Sequence, residues 1–202
     1  MLEEYNINQT TLKILSNYLD NYKKSLHLRE ISREIKVDVK ATQLQLKKLE
    51  RINVLFSTVK GRNKEYTLNL NNITTQYYLM MAETFVSIIY LKKNFLIKKI
   101  IGEIGNKIHD PVILFGSFAK STHTKDSDVD LFIISDKKIK TSITLEAGNL
   151  VGREINLKST NRDRFMNGLR SNDPLIKEVV SNHIILKGID EFCDIMWNYH
   201  VV

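Results

Sequence analysis

Two aspartates one residue apart, Asp128 and Asp130, open the apolar run Val129 to Ile134, and Gly116-Ser117 interrupt the chain just after a second apolar run, Val112 to Phe115. Short apolar runs bounded by polar turns read as buried strands. Strand side chains alternate faces, so Asp128 and Asp130 point the same way while Val129 and Leu131 enter the core. Two carboxylates held side by side repel, and one proton affinity rises unless a cation sits between their oxygens. Hard oxygen ligands of this kind suit magnesium. Gly116 lets backbone approach a ligand without a side chain in the way, and Ser117 opens a short helical turn whose free amides can hold phosphate. The spacing therefore predicts a metal-nucleotide site. Lys120 and Lys125 are the cations placed to meet phosphate, and His123, without a partner in the sequence, is read as surface.

Gly116-Ser117, ten residues, then Asp128-Val129-Asp130-Leu131 resemble the signature of the DNA polymerase β-like nucleotidyltransferases, and most closely their small, minimal members. The resemblance implies that Gly116 and Ser117, with Lys120 nearby, contact a nucleoside triphosphate, ATP being the expected donor. It also implies that Asp128 and Asp130 hold two Mg2+ ions, and that a third acid on a later strand helps bind the catalytic metal or takes a proton from the attacking hydroxyl. The stretch Glu154 to Thr160 alternates as a strand, and Glu154 or its same-face neighbour Asn156 occupies that third position. Glu154 is preferred as catalytic and metal-binding residue, because an asparagine can do neither task as an anion. If Asn156 is the equivalent, the third acid is absent.

The elements that position these residues follow from the rest of the chain. At 202 residues, with 43% hydrophobic and 26% charged content, the chain has length for one large or two small domains. One cysteine, Cys193, excludes an intramolecular disulfide, and five scattered histidines offer no zinc-like spacing. The most apolar tract is cut by Glu83, Lys92 and Lys93, and there is no N-terminal signal pattern, so a cytoplasmic location and no membrane partner are expected. The net charge of +7 is unevenly spread. Residues 1–70 carry 13 Lys and Arg against 8 Asp and Glu, which points to a polyanion partner for that segment.

Residues 9–22 read as a helix with a threonine pair to cap it, Leu26 to Ile35 as a second, and Lys40 to Arg51 as a third. Val54-Leu55-Phe56 and Tyr66-Thr67-Leu68 are strand-like around a basic tip, Lys60 to Lys64. This is a winged helix-turn-helix pattern. It places Lys40, Gln43 and Lys47 on the outward face of a recognition helix, flanked by Lys48 and Arg51, with Lys60, Arg62 and Lys64 meeting the backbone of double-stranded DNA.

The expected fold class is α+β, in three parts: a winged helix-turn-helix domain (1–71), a helical connector or dimerisation helix (72–94) with Asn94 as the break, and a nucleotidyltransferase-like domain (95–202) whose mixed β-sheet has flanking helices. A homodimer is expected because winged helices read DNA as two-fold pairs. The functional expectation is Mg2+-dependent transfer of a nucleoside monophosphate to an acceptor hydroxyl, coupled to DNA binding. The alternative is a DNA-binding regulator whose second domain senses nucleotide or scaffolds a dimer without catalysis. The sequence names no acceptor.

Overall fold

A computed structural model describes residues 7–61, 63–140 and 142–201. The chain divides into two units: one runs up to Phe85 and takes in His200, and the other is Val86–Tyr199. Each is built on its own sheet.

In the first unit, Asn8, rather than the threonine pair, caps α1 (Gln9–Ser16) by accepting the Thr11 amide at 3.0 Å. The helix stops six residues short of the expected end because the Asn17 amide group donates to the carbonyls of Lys13 and Ile14, satisfying groups that the next turn would have used. Tyr18, Leu19 and Tyr22 are buried beyond it. Leu26 and His27 form β1, not helix, because they pair with Tyr66 and Glu65. α2 (Leu28–Ile35) ends at Lys36 in the left-handed region, φ 54°, where the Ser32 hydroxyl donates to the Val37 carbonyl at 2.6 Å. Asp38 accepts the amides of Lys40 and Ala41 and starts α3 (Val39–Arg51). β2 (Leu55–Lys60) and β3 (Asn63–Leu68) pair antiparallel from Leu55–Leu68 to Lys60–Asn63, giving a sheet of order β1-β3-β2. Ile14, Leu15, Ile31, Leu46, Leu49, Val54 and Leu55 form the buried interior, and the Tyr18 hydroxyl donates to the Tyr66 carbonyl at 3.0 Å.

α4 (Ile73–Lys93) and α5 (Phe95–Ile104) are separated at Asn94, which the sequence marks as a break. The second unit continues through β4 (Val112–Phe115), α6 (Gly116–Ala119), β5 (Val129–Ile134), α7 (Ser142–Val151), β6 (Ile155–Thr160), α8 (Arg162–Ser171), α9 (Pro174–Ser181), β7 (Ile184–Lys187) and α10 (Ile189–Val201) as far as Tyr199. Its four strands lie in the order β6-β5-β4-β7. The pairs β4–β5 and β4–β7 are antiparallel and β5–β6 is parallel, so the sheet is mixed, as expected. The central strands are buried except at Asp130, which is half-buried. One of their faces packs on Ile97, Ile100, Ile104 and Ile108 of α5 and its exit. No helix among the described residues is long and apolar enough to cross a membrane.

Candidate functional site

β4 and β5 pair with Phe115 opposite Asp130, so the end of one strand and the start of the other meet at one corner of the sheet. The chain leaves that corner through Gly116 at φ +68°, and a Cβ on Gly116 would run into the Asp130 carboxylate. Glycine is needed here twice over, for the left-handed backbone and for the space the acid fills. Behind the turn, the Tyr90 hydroxyl donates to the Phe118 carbonyl at 2.9 Å and ties α6 to the core. Burial pushes that hydroxyl up to about 12, so it keeps its proton at neutral pH.

Asp128 is exposed and Asp130 half-buried. The parallel register sets Asn156 opposite Asp130, and Asn156 Nδ2 lies 3.4 Å from Asp128 Oδ2 and 3.4 Å from Asp130 Oδ1. One amide therefore spans both carboxylates. Burial first, and then the charges of Asp128 and Glu178, push the Asp130 carboxyl above the ordinary carboxylate range, against the pull of the Asn156 hydrogen bond and Lys120. A crowded like-charge pair of this sort is relieved by a divalent cation, and the two carboxylates are hard oxygen donors, so Asp128 and Asp130 fit one such ion.

Glu154 is placed differently. Its carbonyl accepts the Val129 amide at 2.9 Å, which sets its backbone beside Asp128, while the residue lines a cleft of about 450 Å³ with Thr144, Asn149 and Arg153. Among the described residues no group of three His, Cys, Asp or Glu is gathered for a metal. The structure thus joins Asp128, Asp130, Gly116 and Asn156, and leaves Glu154 at the neighbouring cleft. Period-two alternation puts 154 and 156 on one face, and only the register against β5 decides which of them meets the aspartates.

Lys120 Nζ is 2.8 Å from Glu178 Oε1 of α9, an exposed ion pair that α9's distance along the chain had hidden. Ser117 follows Gly116 in the first turn of α6. His123 is exposed but not isolated: its ring stacks on Phe118 at 4.1 Å and 9°.

Residues 96–186 match the nucleotidyltransferase domain family. The matched residues include the Gly116 turn, both aspartates and Asn156. No curated protein matches the chain. Among solved structures the chain is similar to one described as the crystal structure of the toxin-antitoxin with AMP-PNP, at 15% identity and a TM-score of 0.38, over 52% of this chain and 82% of that one. It is also similar to TrmBL2, described as an archaeal chromatin protein with a novel mode of DNA binding, at 13% identity and a TM-score of 0.28, over 85% of this chain and 68% of that one. Neither likeness defines a substrate or partner here.

In the first unit, Lys40, Gln43, Lys47 and Arg51 are exposed along α3 and Lys48 is half-buried. The hairpin lysines are committed elsewhere. Lys60 pairs with Glu65 at 2.7 Å, and Lys64 pairs with Glu50 at 2.9 Å while lying 5.1 Å over the Tyr66 ring. The hydrogen bond that Lys64 donates to Glu50 is the main cause holding the Lys64 ammonium above its ordinary value. Arg62 lies outside the described residues.

Proposed function

We propose that this protein transfers a nucleoside monophosphate from a triphosphate, with ATP as donor, to an acceptor hydroxyl, and that its first unit is a winged helix that binds double-stranded DNA. The observation that carries the first half is the corner at which Gly116, Asp128 and Asp130 meet. In the reaction the acceptor oxygen bonds to the α-phosphorus, the bond from that phosphorus to the bridging oxygen breaks, and pyrophosphate leaves. Mg2+ bound by the two aspartates supplies charge neutralisation on the triphosphate and leaving group. The amides following Gly116 face phosphate, and Lys120 exchanges Glu178 for a phosphate oxygen. Glu154, whose backbone carbonyl accepts the Val129 amide and which lines the neighbouring cleft, is the carboxylate assigned to take the acceptor's proton. The order α1-β1-α2-α3-β2-β3 with an exposed basic α3 supports the winged-helix half.

One observation favours a second reading. Asn156, spanning both aspartates, is neutral and cannot accept a proton as a carboxylate would, which suits a DNA-binding regulator that holds nucleotide without turnover. Incubation with Mg2+, α-labelled nucleotides and a cell extract separates the two. Label incorporated by the protein, and lost in a double Asp128→Asn, Asp130→Asn variant and in Glu154→Gln, supports transfer. If wild type labels nothing above the double variant, yet binds Mg2+-ATP that the double variant does not, the regulator reading stands. Under that outcome Asn156→Asp is expected to tighten Mn2+ binding about tenfold, read by calorimetry, since it adds an anionic oxygen between the two carboxylates.

A further inference from the structure

The basic face read from the sequence loses two of its members once ion pairs are counted. Lys60 and Lys64 answer to Glu65 and Glu50. Besides those of α3, cations without such commitments lie on α2. A cleft of about 620 Å³ opens in the first unit, lined among others by His27, Arg29, Glu30, Arg33, Gln43 and Lys64. Glu30 is occupied by the His27 amide, which it accepts at 3.2 Å, and the His27 ring lies 3.6 Å from Glu65. Arg29 and Arg33 are both exposed, and neither forms an ion pair with a described residue. Four residues apart on one helix face, their side chains stand one turn from each other, and Gln43 brings the predicted recognition helix to the same cleft.

Two uncommitted guanidiniums at the mouth of a polar cleft are suited to phosphate, because each presents a planar fork that a phosphate oxygen pair can accept from. We infer that this cleft seats the phosphodiester backbone of duplex DNA, with Arg29 and Arg33 as its phosphate contacts and Gln43 at the boundary between backbone and groove. The inference rests on the DNA-binding reading above and deepens it: the positioning contacts come from α2, and the hairpin lysines contribute less than their number suggests.

The test is duplex binding by the full chain, measured by fluorescence anisotropy with a random-sequence duplex over a range of salt concentrations. An Arg29→Ala, Arg33→Ala double variant is expected to lose affinity by on the order of tenfold or more and to lower the slope of log affinity against log salt by about 1.8, two phosphate contacts' worth. Arg29→Lys, Arg33→Lys should keep most of the slope, which an unfolded variant would not, and circular dichroism checks the alanine pair. Wild-type slope and affinity in the alanine pair, with Lys47→Ala impaired, would overturn the cleft and leave the DNA-binding reading standing. Wild-type protein that binds no duplex at any salt concentration would overturn both.

Discussion

The corner at Gly116 and the basic face of α3 differ in what fixes their charged groups. At the corner, buried strands on both sides hold Asp130 and its neighbours: Phe115 is paired opposite it, a left-handed glycine leaves it room, and Asn156 reaches it from the next strand. On the basic face the backbone is equally well defined by caps and register, but the side chains are exposed and choose partners among themselves, as Lys60 and Lys64 do. Charge held by burial is committed before a ligand arrives. Charge on an open face is shared between internal partners and the ligand, so its count overstates what a polyanion meets.

The sharpest way to break this contrast is Gly116→Val. A β-branched residue at φ +68° costs about 1–3 kcal/mol in backbone strain, and its Cβ displaces the Asp130 carboxylate. Mg2+-ATP affinity measured by calorimetry is expected to fall at least tenfold, with a loss of thermal stability of several degrees. No single substitution on the open face should do as much to duplex binding. A variant that keeps nucleotide affinity would show that the corner is not over-determined.

The same contrast explains what could be read in advance. Val112 to Phe115 and Leu131 to Ile134 are visible as strand because continuous burial leaves uninterrupted apolar runs, and Gly116 and the aspartates are visible because they punctuate those runs. The break at Asn94 was a local signal of the same kind. The choice between Glu154 and Asn156 was hidden because it depends on the register of β6 against β5, which no residue of β6 encodes alone. β1 was read as helix for a similar reason, since its two residues are made strand by a partner some forty positions away. Glu178 beside Lys120, and Glu50 beside Lys64, are long-range pairings of exposed groups for which sequence spacing holds no information.

Acid separates the two units by sign. His200, buried in the first unit with its ring stacked on Tyr22 at 4.8 Å, is pulled down from 6.5 to about 4, by burial first and then by Lys23. Its folded value lies below the unfolded one, so below pH 6.5 the unfolded chain binds more protons, and the stability present above that pH is progressively lost as the pH falls towards 4. Asp130 is shifted the other way. Its folded carboxyl lies above the ordinary 3.8, so its protonated form is favoured by folding and acid relieves rather than strains the corner. Calorimetric scans from pH 7 to pH 4.5 should show the first unit weakening, by up to about 2 kcal/mol once residual solvent screening is allowed for. His200→Asn should flatten that slope. A slope unchanged in His200→Asn would mean that the imidazole is not held neutral by burial.

The smallest effect tests the open face directly. If the ion pair with Glu50 is what withholds Lys64 from a polyanion, then Glu50→Gln should free it. The variant removes one charge from an exposed pair, and such pairs contribute about 0–1 kcal/mol, so thermal stability should hardly move even though Glu50 also accepts from Ser57. Duplex affinity should rise a few-fold, and the salt slope should steepen by about 0.9, one additional phosphate contact. The sign is the informative part: removing an acid from anywhere on a basic protein strengthens polyanion binding slightly through the long-range field, but only release of a contact lysine adds nearly a full unit of slope. Glu34→Gln, an exposed acid on α2 with no ion pair among the described residues, is the control for the field. Equal slopes in the two variants would mean that Lys64 stays away from the backbone even when free, leaving Arg29, Arg33 and the exposed cations of α3 to meet it.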